Sequence, residues 1–65
     1  MAEELTPMEL EVVKLLMRGY SDKRIGEYLC VTPYTILWHL RNIAYKCGVR
    51  TRDEVRSYAN QHHME

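Results

Sequence analysis

The sequence predicts an all-α domain of four helices, and three observations lead to that fold class. Helix start signals recur at Thr6-Pro7, Ser21-Asp22, Thr32-Pro33 and Thr51 with Glu54. Apolar residues after each start return at helical spacing. No stretch shows the strict apolar–polar alternation of a half-buried strand.

The first helix opens at Thr6-Pro7-Met8-Glu9, a capping box with Thr at N-cap, Glu at N3 and Pro at N1. Good helix formers run to Arg18, and Gly19 suits the left-handed residue that ends a helix. Leu5, Val12, Val13 and Leu16 share one face. Ser21 caps the second helix, Asp22 complements its dipole, and Ile25 with Leu29 forms its buried pair. Only Cys30 and Val31 separate it from Thr32-Pro33, so the two helices are expected to meet steeply instead of folding back. The third helix spans about 33–47, carries Ile36, Leu40, Ile43 and Cys47 on its apolar stripe, and closes at Gly48. Thr51-Arg52-Asp53-Glu54 is a second capping box, opening a short helix with Val55, Tyr58 and Ala59. The polar tail 60–65 is expected to fray.

Sixty-five residues allow a single domain, 1–65, and a chain this short buries only about 60% of its unfolded surface. Cys30 and Cys47 are too few for a disulfide framework, and no apolar run approaches the roughly 20 residues of a membrane span. One small core leaves little material for the walls of a catalytic pocket, so no enzyme is expected. A small cytosolic module without a cofactor is the expectation. Its start at Met1 and its polar tail fit a complete chain controlled by abundance.

Nine basic and nine acidic side chains cancel, but they are sorted along the chain. Residues 1–27 hold six acids and four bases, and residues 53–65 hold three acids and one base. Between them, residues 28–52 hold no acid and four bases: Arg41, Lys46, Arg50 and Arg52. That segment predicts one positive surface, a candidate for an anionic partner. A helix, a tight turn and a second, acid-free basic helix make a helix-turn-helix pattern, in which the second helix fits a DNA major groove.

Leu5, Thr6, Pro7, Glu9, Glu11 and Val12, then Gly19, Ser21, Lys23, Ile25 and Leu29, then Thr35, Ile36, His39, Asn42, Ile43, Lys46, Gly48, Val49 and Arg52 stand in one register. In these residues, over about 5–59, the chain resembles the LuxR-type (GerE-like) DNA-binding domain of bacterial transcription regulators. The resemblance implies that helices two and three form the helix-turn-helix, that the first braces them, and that the fourth often pairs two copies. It implies a sequence-specific regulator that binds double-stranded DNA.

Departures from the family pattern are informative. Leu37 stands where the family usually has a DNA-contacting lysine, and Trp38 follows it; Met8, Asp22, Arg24 and Gly26 also depart. With Ile36, Leu40 and Ile43 inward, Leu37, Trp38, Arg41 and Tyr45 point outward. Three accounts stand open. Leu37 and Trp38 pack on neighbours in an imperfect core; or they touch thymine methyl groups while Arg41 reads a guanine; or they form a protein interface with another regulator, since exposed apolar patches and Trp favour such contacts.

The expected base contacts are therefore Leu37, Trp38 and Arg41. Lys23, Arg24, Thr32, Thr35, Lys46, Arg50 and Arg52 are expected to hold phosphates. Val55, Tyr58 and Ala59 offer a possible face for a homodimer on DNA. Cys30, Cys47, His39, His62 and His63 have no metal-ligand spacing, so no metal is expected. Tyr20, Tyr28, Tyr34, Tyr45 and Tyr58 are expected to be half-buried rings.

Overall fold

A computed structural model describes residues 4–62 as four helices without strands: α1 (Pro7–Met17), α2 (Asp22–Leu29), α3 (Pro33–Cys47) and α4 (Arg52–Gln61). Residues 1–3 and 63–65, which include His63, the two ends of the expected domain and the outer part of the tail, lie outside the described residues.

Local chemistry sets each start. Thr6 Oγ1 accepts the Glu9 amide at 3.2 Å while the Thr6 amide donates to Glu9 Oε1 at 2.9 Å. The box at Thr51 and Glu54 closes in the same way. Ser21 Oγ and Thr32 Oγ1 each accept the amide three residues on. One expectation fails at the far end: Asn60 and Gln61 belong to α4, and His62 closes it by donating its amide to the Tyr58 carbonyl.

Helix ends follow one device. Gly19 (φ 88°) and Gly48 (φ 74°) take the left-handed conformation after α1 and α3. Cys30 takes it after α2 at φ 62°, unusual for a residue with a side chain. The Val31 amide then folds back onto the Gly26 carbonyl at 2.8 Å. A Cβ on Gly26 would lie 2.7 Å from the Val31 carbonyl oxygen, closer than real Cβ atoms approach, so this corner requires glycine.

The core is drawn from all four helices: Val12, Val13, Leu15 and Leu16 from α1, Ile25 from α2, Ile36, Leu40, Ile43 and Ala44 from α3, and Val55 and Ala59 from α4. Leu5, Leu29, Cys47 and Val49 pack around it. Helix α3 touches each of the other three, whereas α2 and α4 meet through the Asp22–Arg52 pair without close backbone approach. Among the described residues no helix is long and apolar enough to cross a membrane.

Val55 and Ala59 are each 1% exposed, which corrects their expected place on a dimer face. They sit on the side of α4 that covers α1 and α3, and only Tyr58 of the trio is partly open, its ring stacked on His62.

Candidate nucleic-acid interface

Helix α3 has two faces because its apolar stripe repeats every three or four residues. Ile36, Leu40, Ile43 and Ala44 turn inward, and Tyr34, Leu37, Trp38, Arg41 and Tyr45 stand outward. Leu37 is 48% and Trp38 56% exposed, so neither is a core residue. The Trp38 ring meets His39 edge to face at 5.4 Å. Tyr28, Tyr34 and Tyr45 are exposed, against the expectation of half-buried rings; only Tyr20 and Tyr58 fit it. Tyr34 was not expected at the site, although its spacing from Leu37 (i, i+3) and Trp38 (i, i+4) carries the signal.

Two concavities open on this face. A small notch of about 20 Å³ is lined by Tyr34, Leu37, Trp38 and Arg41. Beside it, a cleft of about 120 Å³ has Leu37, Leu40 and Ala44 among its walls, with Arg41, Arg50, Arg52, Thr51 and Asp22 lining the rest. Arg41, Arg50 and Arg52 thus share one cleft with the outward face of α3.

The expected phosphate holders fall into two groups. Lys23, Arg24 and Arg50 are exposed, with the Arg24 guanidinium 5.5 Å from the Tyr20 ring centre. The Thr32 and Thr35 hydroxyls lie 3.0 Å apart, while Thr32 Oγ1 also caps the Thr35 amide. The cations of Lys46 and Arg52 are already engaged. Lys46 Nζ lies 2.7 Å from Glu9 Oε1, with only 19% of its side chain exposed. Its ammonium thereby compensates a buried carboxylate. Arg52 donates from Nε to Asp22 Oδ1 at 3.1 Å and from its terminal nitrogen to the Tyr20 carbonyl at 2.7 Å, tying the start of α4 to that of α2.

Among the described residues three protonation equilibria are displaced. Burial alone would raise Glu9, but the Lys46 ammonium and the Thr6 amide hold it below the usual carboxylate range. The Arg50 and Thr51 amides lower Glu54. Burial, then the Glu9 charge, raises the Cys47 thiol, which disfavours its reactive thiolate. Among the described residues no three His, Cys, Asp or Glu side chains gather as a metal site.

A two-helix corner fixed by Gly26, braced by α1 and presenting one outward helix, is a helix-turn-helix domain. Residues 3–59 match the family described as bacterial regulatory proteins, luxR family, and the chain belongs to it. Over 62 residues it is 39% identical to the transcriptional regulatory protein LiaR of Bacillus subtilis (strain 168), covering 95% of this chain and 29% of LiaR. It is 36% identical to the response regulator protein VraR of Staphylococcus aureus (strain NCTC 8325 / PS 47), covering 95% of this chain and 30% of VraR. The chain therefore spans about three-tenths of the length of these relatives. The structure of the transcription factor GerE superposes with a TM-score of 0.83 at 32% identity, covering 92% of this chain and 90% of GerE.

Proposed function

We propose that this chain is a sequence-specific, double-stranded DNA-binding domain of a bacterial transcription regulator, with α3 lying in the major groove. One observation carries the reading: residues 28–52 hold no acid, and Arg41, Arg50 and Arg52 share a cleft with the outward face of α3. Arg41 reads a guanine edge, since a guanidinium donates two hydrogen bonds to O6 and N7. Leu37 and Trp38 meet bases beside it. Lys23, Arg24 and Arg50, with Thr35 at the start of α3, hold phosphates and set the register. The regulatory roles of its relatives LiaR, VraR and GerE support this assignment. The domain works in the cytoplasm by binding alone, with no cofactor and no catalytic step. Two copies sit on a two-fold-related site, because one small module buries too little surface to bind tightly.

A titration of labelled random-sequence duplex at low and raised salt tests the reading. Affinity is expected to fall linearly in log–log form as salt rises, and Trp38 fluorescence to shift on binding. Absence of duplex binding even at low salt would refute it.

Exposure of Tyr34, Leu37, Trp38 and Tyr45 on one helix favours a second reading, a module that docks on another regulator protein. Under that reading Trp38→Ala abolishes partner binding and Arg41→Ala has little effect.

A further inference from the structure

Resting on the DNA reading above, we propose that the notch between Tyr34, Leu37 and Trp38 is a receptor for the C5-methyl group of a pyrimidine next to the guanine held by Arg41. The notch offers about 20 Å³. About 10–15 Å³ admits one water-sized group, so the notch has room for a single methyl. Its walls are two aromatic rings and a leucine, with Arg41 the only charged group lining it. In the major groove the thymine methyl is the one apolar feature a base pair presents. Size and polarity together point to a methyl group.

The neighbouring residues narrow the choice further. Outward positions 34, 37, 38 and 41 include no carboxylate to accept from the cytosine amino group and no amide to bracket an adenine. Arg41 has only donors, which match the two acceptors of guanine. Thymine followed or preceded by guanine satisfies both halves of the face. Unmodified cytosine leaves the notch empty, while 5-methylcytosine fills it with the same methyl group. Binding thereby becomes sensitive to cytosine methylation at that step, without any contact to the exocyclic amine.

The test uses the 65-residue chain and a duplex enriched by it from a random-sequence pool. Each thymine is replaced in turn by uracil, which removes the methyl and leaves the hydrogen-bonding edge unchanged. At one thymine the wild type is expected to weaken about fourfold, the factor one buried methyl is worth. Cytosine at that step should bind poorly, and 5-methylcytosine should regain about the same factor. Leu37→Ala, whose side chain lies outside the core, should bind thymine and uracil duplexes equally; Trp38→Ala provides an independent second variant. Circular dichroism checks that both remain helical. A duplex bound tightly with no thymine-to-uracil effect, or an effect undiminished in both variants, overturns the methyl receptor and leaves the DNA reading standing. Failure to enrich or bind any duplex overturns both.

Discussion

Glu9 Oε1 accepts both the Lys46 ammonium at 2.7 Å and the Thr6 amide at 2.9 Å, so one buried oxygen closes the start of α1 and ties it to the last turn of α3. The pairing suits both helix dipoles, with an acid at a positive end and a base at a negative end. Lys46→Ala leaves this acceptor without its charged partner. A fully buried pair broken on one side costs about 3–5 kcal/mol. Lys46 is partly open and water can replace it, so about 1–3 kcal/mol is expected, measured as a lower urea midpoint. The salt slope of DNA binding should stay unchanged; a slope smaller by about one unit would return Lys46 to the phosphate contacts.

The same carboxylate makes stability depend on acid. Its folded value is depressed, so its contribution is present above the ordinary carboxylate range, around pH 4.3, and is lost as pH falls through the folded value. Unfolding followed as pH is lowered from about 5 should show stability falling, and Glu9→Gln should flatten part of that fall. Part will remain, because Glu54 is depressed in the same direction by the Arg50 and Thr51 amides. An unchanged profile in Glu9→Gln would exclude the pair as a source.

Gly26→Ala places a methyl 2.7 Å from the Val31 carbonyl oxygen, a backbone atom that cannot swing away. Relief requires the corner to open, at a cost of about 1–3 kcal/mol despite alanine's better helix propensity. Thermal melting should move down, and DNA affinity should fall further than the loss of folded protein accounts for. A melting temperature equal to wild type would show that the corner adapts freely.

These residues also show what a sequence can disclose. Every N-cap was legible, because Thr6, Ser21, Thr32 and Thr51 act on amides three residues away. The outward placement of Leu37, Trp38 and Arg41 followed from helical period alone. Glu9 and Lys46 stand 37 residues apart, so nothing local couples them. Gly26 could be seen only as a departure from the family pattern, since its reason is the approach of another stretch of backbone. The face of α4 was misread because its apolar residues are the same ones that a core or an interface would require.

Arg41→Ala should erase sequence preference, about 1–3 kcal/mol of discrimination, while leaving weak, salt-sensitive binding to any duplex. Competition between enriched and random duplex measures this directly. A variant that keeps its preference would move guanine readout away from Arg41.

Val55→Ala should lower stability by about 2 kcal/mol, as a truncated core residue does, without altering association. Sedimentation of the wild type without DNA should give a monomer, since a standard interface needs roughly 800 Å² from each partner. A tight dimer that Val55→Ala dissociates would reverse the assignment.

Helix α3 leans on all three of its neighbours, and that arrangement decides where damage is felt. A 15-residue segment alone is too short to hold a stable helix in water. Cut free as a peptide, it would lose its shape and with it the spacing of its outward side chains. The other helices are therefore a clamp that holds this surface in shape. A genetic screen for lost operator binding should collect substitutions at Val12, Leu16 and Val55 as readily as at Arg41, and purified variants of the two kinds would part company on melting, not on binding.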